Sequence, residues 1–152
     1  MSKVKALVCS VCGASYAPGA VDYTCPVDGG NLTVELDLAT IGRTLRPEDV
    51  HASGDHSMWR YLPLLPVEAP RVQHTPLNQV GWTPVYDLPA LADEVGLKKL
   101  WLKDESSNPT ASFKDRASAL LVVRAMELGA EITVTASSGN AGAALAGMAA
   151  AA

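Results

Sequence analysis

The sequence predicts an α/β fold with a parallel sheet over residues 80–152, preceded by a small cysteine-knuckle segment over 1–37. Three observations carry this. After residue 80 the apolar spacing alternates between strand-like and helix-like runs. The three cysteines all fall within the first 25 residues, two of them in a C-x2-C knuckle. Between these parts, residues 38–79 have weak periodicity and many prolines and glycines, as an extended arm or linker would.

The first segment carries Cys9-Ser10-Val11-Cys12-Gly13, and Tyr23-Thr24-Cys25-Pro26-Val27-Asp28-Gly29-Gly30 is laid out like a second knuckle. Paired knuckles around a short hairpin describe a zinc ribbon, in which four ligands hold a segment too small for a core of its own. The glycine after each knuckle permits the tight turn that aims N–H groups at sulfur. The fourth ligand position is Asp28, where a ribbon would ordinarily have cysteine. Two readings stand side by side: a zinc site made of Cys9, Cys12, Cys25 and Asp28, or a degenerate ribbon held by packing alone. Asp22, Asp28, Glu35 and Asp37 make the segment a poor electrostatic partner for nucleic acid.

In the arm, His51, His56 and His74 suggest metal ligands at first sight, but Gly54 and Asp55 between the first two argue for a loop, with the histidines solvated or merely hydrogen-bonded. Trp59 and Tyr61 are the expected anchors of the arm onto the main domain. Over the whole chain, 48% of residues are apolar and the net charge is −4 with no basic block, which excludes a nucleic-acid footprint. The N-terminus lacks the long apolar segment of a signal peptide, and the Ala-rich end is too short to span a membrane. Three cysteines, an odd number, argue for a reducing compartment, so the expected location is the cytoplasm. The helical pattern that opens near Asn140 still runs at Ala152 without a stop signal, which predicts an N-terminal piece of a longer protein.

From residue 81 the elements follow in order. Gly81-Trp82-Thr83-Pro84-Val85-Tyr86 opens this stretch, and apolar positions 88, 91, 92 and 95 make a helix that Gly96 stops. A strand follows at Lys99-Leu100-Trp101-Leu102-Lys103, then a loop, then Asn108-Pro109-Thr110-Ala111-Ser112-Phe113-Lys114-Asp115-Arg116 leading into a helix. Ser112 and Asp115 fit a capping box, which puts Lys114 in the first turn, where the helix dipole makes a cation least welcome. The buried stripe of this helix is read as Leu121, Val122, Ala125 and Leu128, with Arg124 and Glu127 outward and Phe113 in the core. The β-branched run Ile132-Thr133-Val134-Thr135 reads as a buried strand, and Ser137-Ser138-Gly139-Asn140 turns into the last helix. Strand–helix–strand–helix order implies parallel pairing with right-handed crossovers, and both helix-start loops then face one crevice.

The lysine segment resembles that of the fold-type II pyridoxal-phosphate enzymes (the tryptophan synthase β-like fold), and among them the threonine synthases most. Gly81-Trp82-Thr83-Pro84 resembles the same family's opening segment with Trp82 in place of a common glycine, and Thr135-Ala136-Ser137-Ser138-Gly139-Asn140-Ala141-Gly142 resembles its second loop. The resemblance implies that Lys114 holds the aldehyde of pyridoxal 5′-phosphate and serves as catalytic base. It implies that Asn140 bonds the cofactor's ring oxygen, and that Ser137, Ser138, Gly139 and Ala141 hold an amino-acid substrate's carboxylate at a helix N-terminus. Ala111 stands where the family often has glycine. The implied reaction is conversion of O-phosphohomoserine and water to threonine and phosphate, by a homodimer when full length. A threonine dehydratase, cysteine synthase or ammonia-lyase would share the lysine, and a non-catalytic zinc-ribbon adaptor is the reading from another class. The family's phosphate-binding loop is expected beyond Ala152, so this stretch alone is expected to be inactive.

Overall fold

A computed structural model describes residues 3–152. Met1 and Ser2, part of the N-terminal stretch read above for a signal segment, lie outside the described residues. The described residues pack as two compact units: residues 3–53 with 61–68, and residues 54–60 with 69–152.

In the first unit, β1 (Val4–Cys9) is the centre of a three-stranded antiparallel sheet. It pairs with β2 (Ser15–Tyr16) through Leu7 opposite Tyr16, and with β3 (Leu32–Leu36) through Leu7 opposite Val34. Two short helices follow within the stretch read as a linker. Asp37 caps α1 (Leu38–Thr44), accepting from the Thr40 N–H at 3.0 Å and the Thr40 hydroxyl at 2.6 Å. Pro47 opens α2 (Pro47–Ala52), and Asp49 turns back to accept the Arg46 N–H at 2.8 Å. Lys3 ties residues 61–68 to the sheet by donating to the Leu62 carbonyl at 3.2 Å and to that of Val67.

The second unit contains β4 (Val85–Asp87), α3 (Pro89–Glu94), β5 (Trp101–Lys103), α4 (Lys114–Glu127) and α5 (Asn140–Ala151). Leu77 and Val80 are fully buried, and Trp59 anchors beside them by donating its indole N–H to the Leu77 carbonyl at 2.9 Å. Tyr61, the other expected anchor, is exposed. The core between α4 and α5 is made by Ala119, Val122 and Val123 against Ala144, Leu145 and Met148. Each large apolar side chain so buried stabilises by roughly 1.5–3 kcal/mol. This face is rotated from the expected stripe, since Leu121 and Leu128 are exposed: the small residues Ser118 and Ala119 let α5 approach on their side instead.

Among the described residues the expected parallel sheet is not seen. β4 and β5 pair antiparallel, with Tyr86 opposite Leu102, and residues 132–135 join no sheet. Ile132 and Val134 are 79% and 86% exposed, so their β-branched side chains have the local preference of a strand but no neighbouring strand to complete it. Among the described residues no helix is long and apolar enough to cross a membrane.

Candidate functional site

The lysine segment is built from the loop that leaves β5. Asp104 caps the short Glu105–Ser107 turn by accepting the Ser106 N–H at 3.0 Å. The Ala111 N–H then donates to the Asn108 carbonyl at 2.8 Å, with Ala111 itself at φ +56°, a left-handed conformation that costs an alanine roughly 1–2 kcal/mol. This reversal changes the expected capping box. The Ser112 hydroxyl does accept a first-turn N–H, that of Lys114 at 3.2 Å. The fully buried Asp115 carboxylate reaches past Ser112 to Thr110, taking its N–H at 2.7 Å and its hydroxyl, because the left-handed turn brings Thr110 to the helix start.

Lys114 is the first residue of α4 and is half-buried. Its amine lies 4.6 Å from the centroid of the Phe113 ring and makes no hydrogen bond or ion pair with any described residue. Phe113 is exposed rather than in the core, so its ring flanks the lysine at the surface. A lysine amine without a hydrogen-bond or ion-pair partner is sterically available, in its neutral form, to condense with an aldehyde.

Arg116, two residues on, makes a two-pronged pair with Glu105: Nε to Oε2 at 2.7 Å and Nη2 to Oε1 at 2.7 Å. The Thr83 hydroxyl also donates to Glu105 at 2.7 Å, and the Asn108 amide donates at 2.9 Å. Asn108 in turn accepts the Gly81 N–H at 3.0 Å. Hydrogen bonding from Arg116 outweighs the opposing effect of burial and, with Thr83 and Asn108, holds the Glu105 carboxyl down to about 2. Gly81 has φ +97°, and a Cβ there would lie 2.7 Å from the Met58 backbone nitrogen, so only glycine fits. The sequence reads Asp115 and Arg116 as helix-start and ion-pair residues but 104–107 as plain loop, so it does not announce Glu105 as the partner of Arg116. The readable signal was an acid in the loop before an arginine-bearing helix start.

At the second loop, Gly139 is the N-cap of α5 and Asn140 its first residue. The Ser137 hydroxyl accepts the Gly139 N–H at 3.2 Å, while a Cβ on Gly142 would lie 2.6 Å from the Ser137 carbonyl oxygen. Ser137, Ser138, Gly139 and Asn140 are exposed and Ala141 is half-buried. The first-turn N–H groups of α5 are the unsatisfied donors of a helix start, suited to an anion. Among the described residues no hydrogen bond links Lys114 to 137–141. The two parts meet instead at Gly147 of α5, where a Cβ would lie 2.6 Å from Thr110 Cγ2.

In the first unit, Cys9, Cys12, Cys25 and Asp28 converge, their donor atoms all within 4.8 Å of one another. Cys12 Sγ lies 3.7 Å from Cys25 Sγ, and Cys9 Sγ 3.4 Å from Asp28 Oδ1. A tetrahedron with zinc–sulfur bonds of about 2.3 Å has edges of about 3.8 Å, so the spacing of the donor set is compatible with that ion. The Val11 and Cys12 N–H groups donate to Cys9 Sγ at 3.3 and 3.5 Å, and the Tyr16 hydroxyl lies 3.0 Å from Cys25 Sγ. The Gly30 N–H at 2.8 Å is the main cause that holds Asp28 down to about 2. The Ala14 N–H works to lower Cys12, but the adjacent Asp28 carboxylate, burial and the neighbouring thiols outweigh it and push the thiol up to about 12. Of the histidines, His56 stacks on Trp82 with ring centroids 4.6 Å apart, and no histidine joins a cluster of metal-ligand type among the described residues.

A family model described as pyridoxal-phosphate dependent enzyme matches residues 77–152, half of the chain and the half that carries both loops. The chain belongs to the pyridoxal-phosphate dependent enzyme family. Within this family it is similar to the threonine synthase of Methanosarcina acetivorans, 41% identical over 140 residues that cover 92% of this chain and 33% of that protein. The threonine synthase of Methanocaldococcus jannaschii is 39% identical over 138 residues, covering 91% of this chain and 33% of its own length. Cysteine synthase B of Escherichia coli is 39% identical over 75 residues, 47% of this chain and 24% of that protein. The chain thus spans about a third of the length of these two threonine synthases. No solved structure matches. The uncommitted Lys114 amine and the open first turn of α5 are the kinds of group that a pyridoxal-phosphate dependent enzyme needs for the aldehyde and for an anionic substrate group.

Proposed function

We propose that the chain supplies the cofactor lysine and part of the substrate pocket of a threonine synthase, which converts O-phosphohomoserine and water to threonine and phosphate. The observation that carries this reading is the state of Lys114: its neighbours Asp115 and Arg116 are tied down, and its own amine is left uncommitted at the start of α4. When bound, pyridoxal phosphate supplies an electron sink for negative charge at the substrate Cα. Lys114 holds the cofactor and then takes and returns the proton at that carbon. Asn140 bonds the ring oxygen of the cofactor. Ser137 and Ser138, with the N–H groups of Gly139 and Ala141, receive the substrate carboxylate. The protein works as a cytoplasmic homodimer on a small amino-acid substrate, and Cys9, Cys12, Cys25 and Asp28 hold a structural zinc.

The test is the visible absorbance of lysine-bound cofactor in the complete enzyme. Lys114→Ala removes the band and the release of phosphate from O-phosphohomoserine, and a persisting band would reject the assignment. Similarity to cysteine synthase B favours a second reading, in which the same lysine serves a β-replacement instead of loss of a γ-phosphate with addition of water at Cβ. Turnover of O-acetylserine with sulfide, without phosphate release, would select it.

A further inference from the structure

We propose that Asp115 and Arg116 are positioning residues, which fix the direction of the Lys114 amine by anchoring the turn on either side of it. The proposal rests on the reading of Lys114 as the cofactor lysine. Successive side chains on a helix point about 100° apart, so residues 114, 115 and 116 leave the first turn of α4 in three directions. Helix starts ordinarily fray, because their first N–H groups have no partner within the helix. Here two of the three directions are tethered to chain that precedes the helix. Asp115 is fully buried and takes the Thr110 N–H at 2.7 Å. Arg116 takes Glu105 with two bonds of 2.7 Å, a geometry a lysine cannot reproduce.

The tethers do not end at their first partners. Glu105 is held by Thr83 and Asn108, and Asn108 by the Gly81 N–H. Gly81 has no slack, since the Met58 backbone already lies where its Cβ would be. Thr110 is backed by Gly147 of α5 at a separation that excludes even a methyl group. The turn is therefore fixed against both the opening segment of the unit and its last helix. Lysine has four side-chain torsions, so a small rotation of its backbone becomes a large displacement of Nζ. A lysine that serves both an aldehyde carbon and a substrate Cα needs its backbone fixed in this way.

The test uses the complete enzyme with Arg116→Lys, Arg116→Gln and Asp115→Asn, and with Arg124→Gln as control. Arg124 is on the same helix but, among the described residues, pairs only with Glu127 near the surface, at 2.9 Å. Arg116→Lys and Arg116→Gln lower kcat by about 100-fold with KM little changed, the penalty of an ångström-scale misplacement. They also move the pH at which the lysine-bound cofactor band titrates, and Arg124→Gln moves neither. Retention of wild-type kcat and titration midpoint in the Arg116 variants, with only a lower melting temperature, would show a merely structural pair and overturn the proposal. Should Arg116→Gln not fold, Arg116→Lys, which keeps the charge and much of the packing, decides alone. Persistence of the band in Lys114→Ala would reject the underlying reading, and it does so without reference to Arg116.

Discussion

Gly147→Ala separates packing from propensity. On helix propensity alone, alanine in the interior of α5 gains about 1 kcal/mol over glycine. The structure reverses the sign. The added Cβ would lie 2.6 Å from Thr110 Cγ2, short of the 3.4 Å of ordinary contact by about 0.8 Å. Thr110 cannot turn its methyl aside freely, because its hydroxyl and N–H both bond the Asp115 carboxylate. Losing one such charge-assisted bond costs about 1.5–3 kcal/mol, and overpacking by a methyl typically costs about 1–3 kcal/mol. Setting either cost against the propensity gain leaves a net destabilisation of up to about 2 kcal/mol, or up to roughly 8 °C in melting temperature for a chain of this size. Gly42→Ala in α1 is the paired control. That glycine is helical, has no positive φ and has nothing within 4 Å of its Cβ position, so the variant gains about 0.5–1 kcal/mol. Urea denaturation of both variants gives the answer. If Gly147→Ala raises the midpoint as Gly42→Ala does, the packing argument is refuted.

Other outcomes follow from the same geometry. Ala111→Gly relieves a left-handed alanine at φ +56° and, after the larger entropy of the unfolded glycine, raises stability by roughly 0.5 kcal/mol, measured by chemical denaturation. Glu105 titrates near 2 when folded and near its ordinary 4.5 when unfolded, so the unfolded chain binds the proton first on acidification. Its contribution is fully present above pH 4.5 and is lost as the pH falls towards 2. Glu105→Gln is therefore less stable at neutral pH and flatter in its acid unfolding profile, and an unchanged slope would contradict the pairing. In metal titrations, Asp28→Cys tightens zinc and Asp28→Ala loosens it. Tyr16→Phe, which removes the hydroxyl beside Cys25, loosens it by about 10-fold. Binding that ignores all three changes would reject the site.

What the sequence made legible was short in range. Lys114 at a helix start, the glycine turns of the knuckles and the turn into α5 at Asn140 all depend on residues within about four positions of one another, where local rules act. Partner choice at longer range was not legible. Ser112 and Asp115 have the spacing of a reciprocal cap, but the conformation of Ala111, which no side-chain pattern announces, sends the acid to Thr110. The Glu105–Arg116 pair spans eleven positions and draws in Thr83, so only the folded loop brings it together. The same holds for strands. The residues at 132–135 have strand composition, but a strand is defined by its neighbours, and antiparallel pairing of β4 with β5 replaced the expected parallel order.

The two knuckles are near-copies of one turn. Gly13 donates to the Cys9 carbonyl and Gly29 to the Cys25 carbonyl, at 3.1 and 2.8 Å, and the glycines have φ +74° and +71°. In the first, the Cys9 sulfur receives the N–H groups from two and three positions on, those of Val11 and Cys12. The halves differ in a single donor atom, sulfur of Cys12 against oxygen of Asp28. The backbone thus forms the same corner around a sulfur donor in one knuckle and an oxygen donor in the other. One hard oxygen among three soft sulfurs moves the preference of that cradle away from monovalent copper and towards a borderline ion such as zinc.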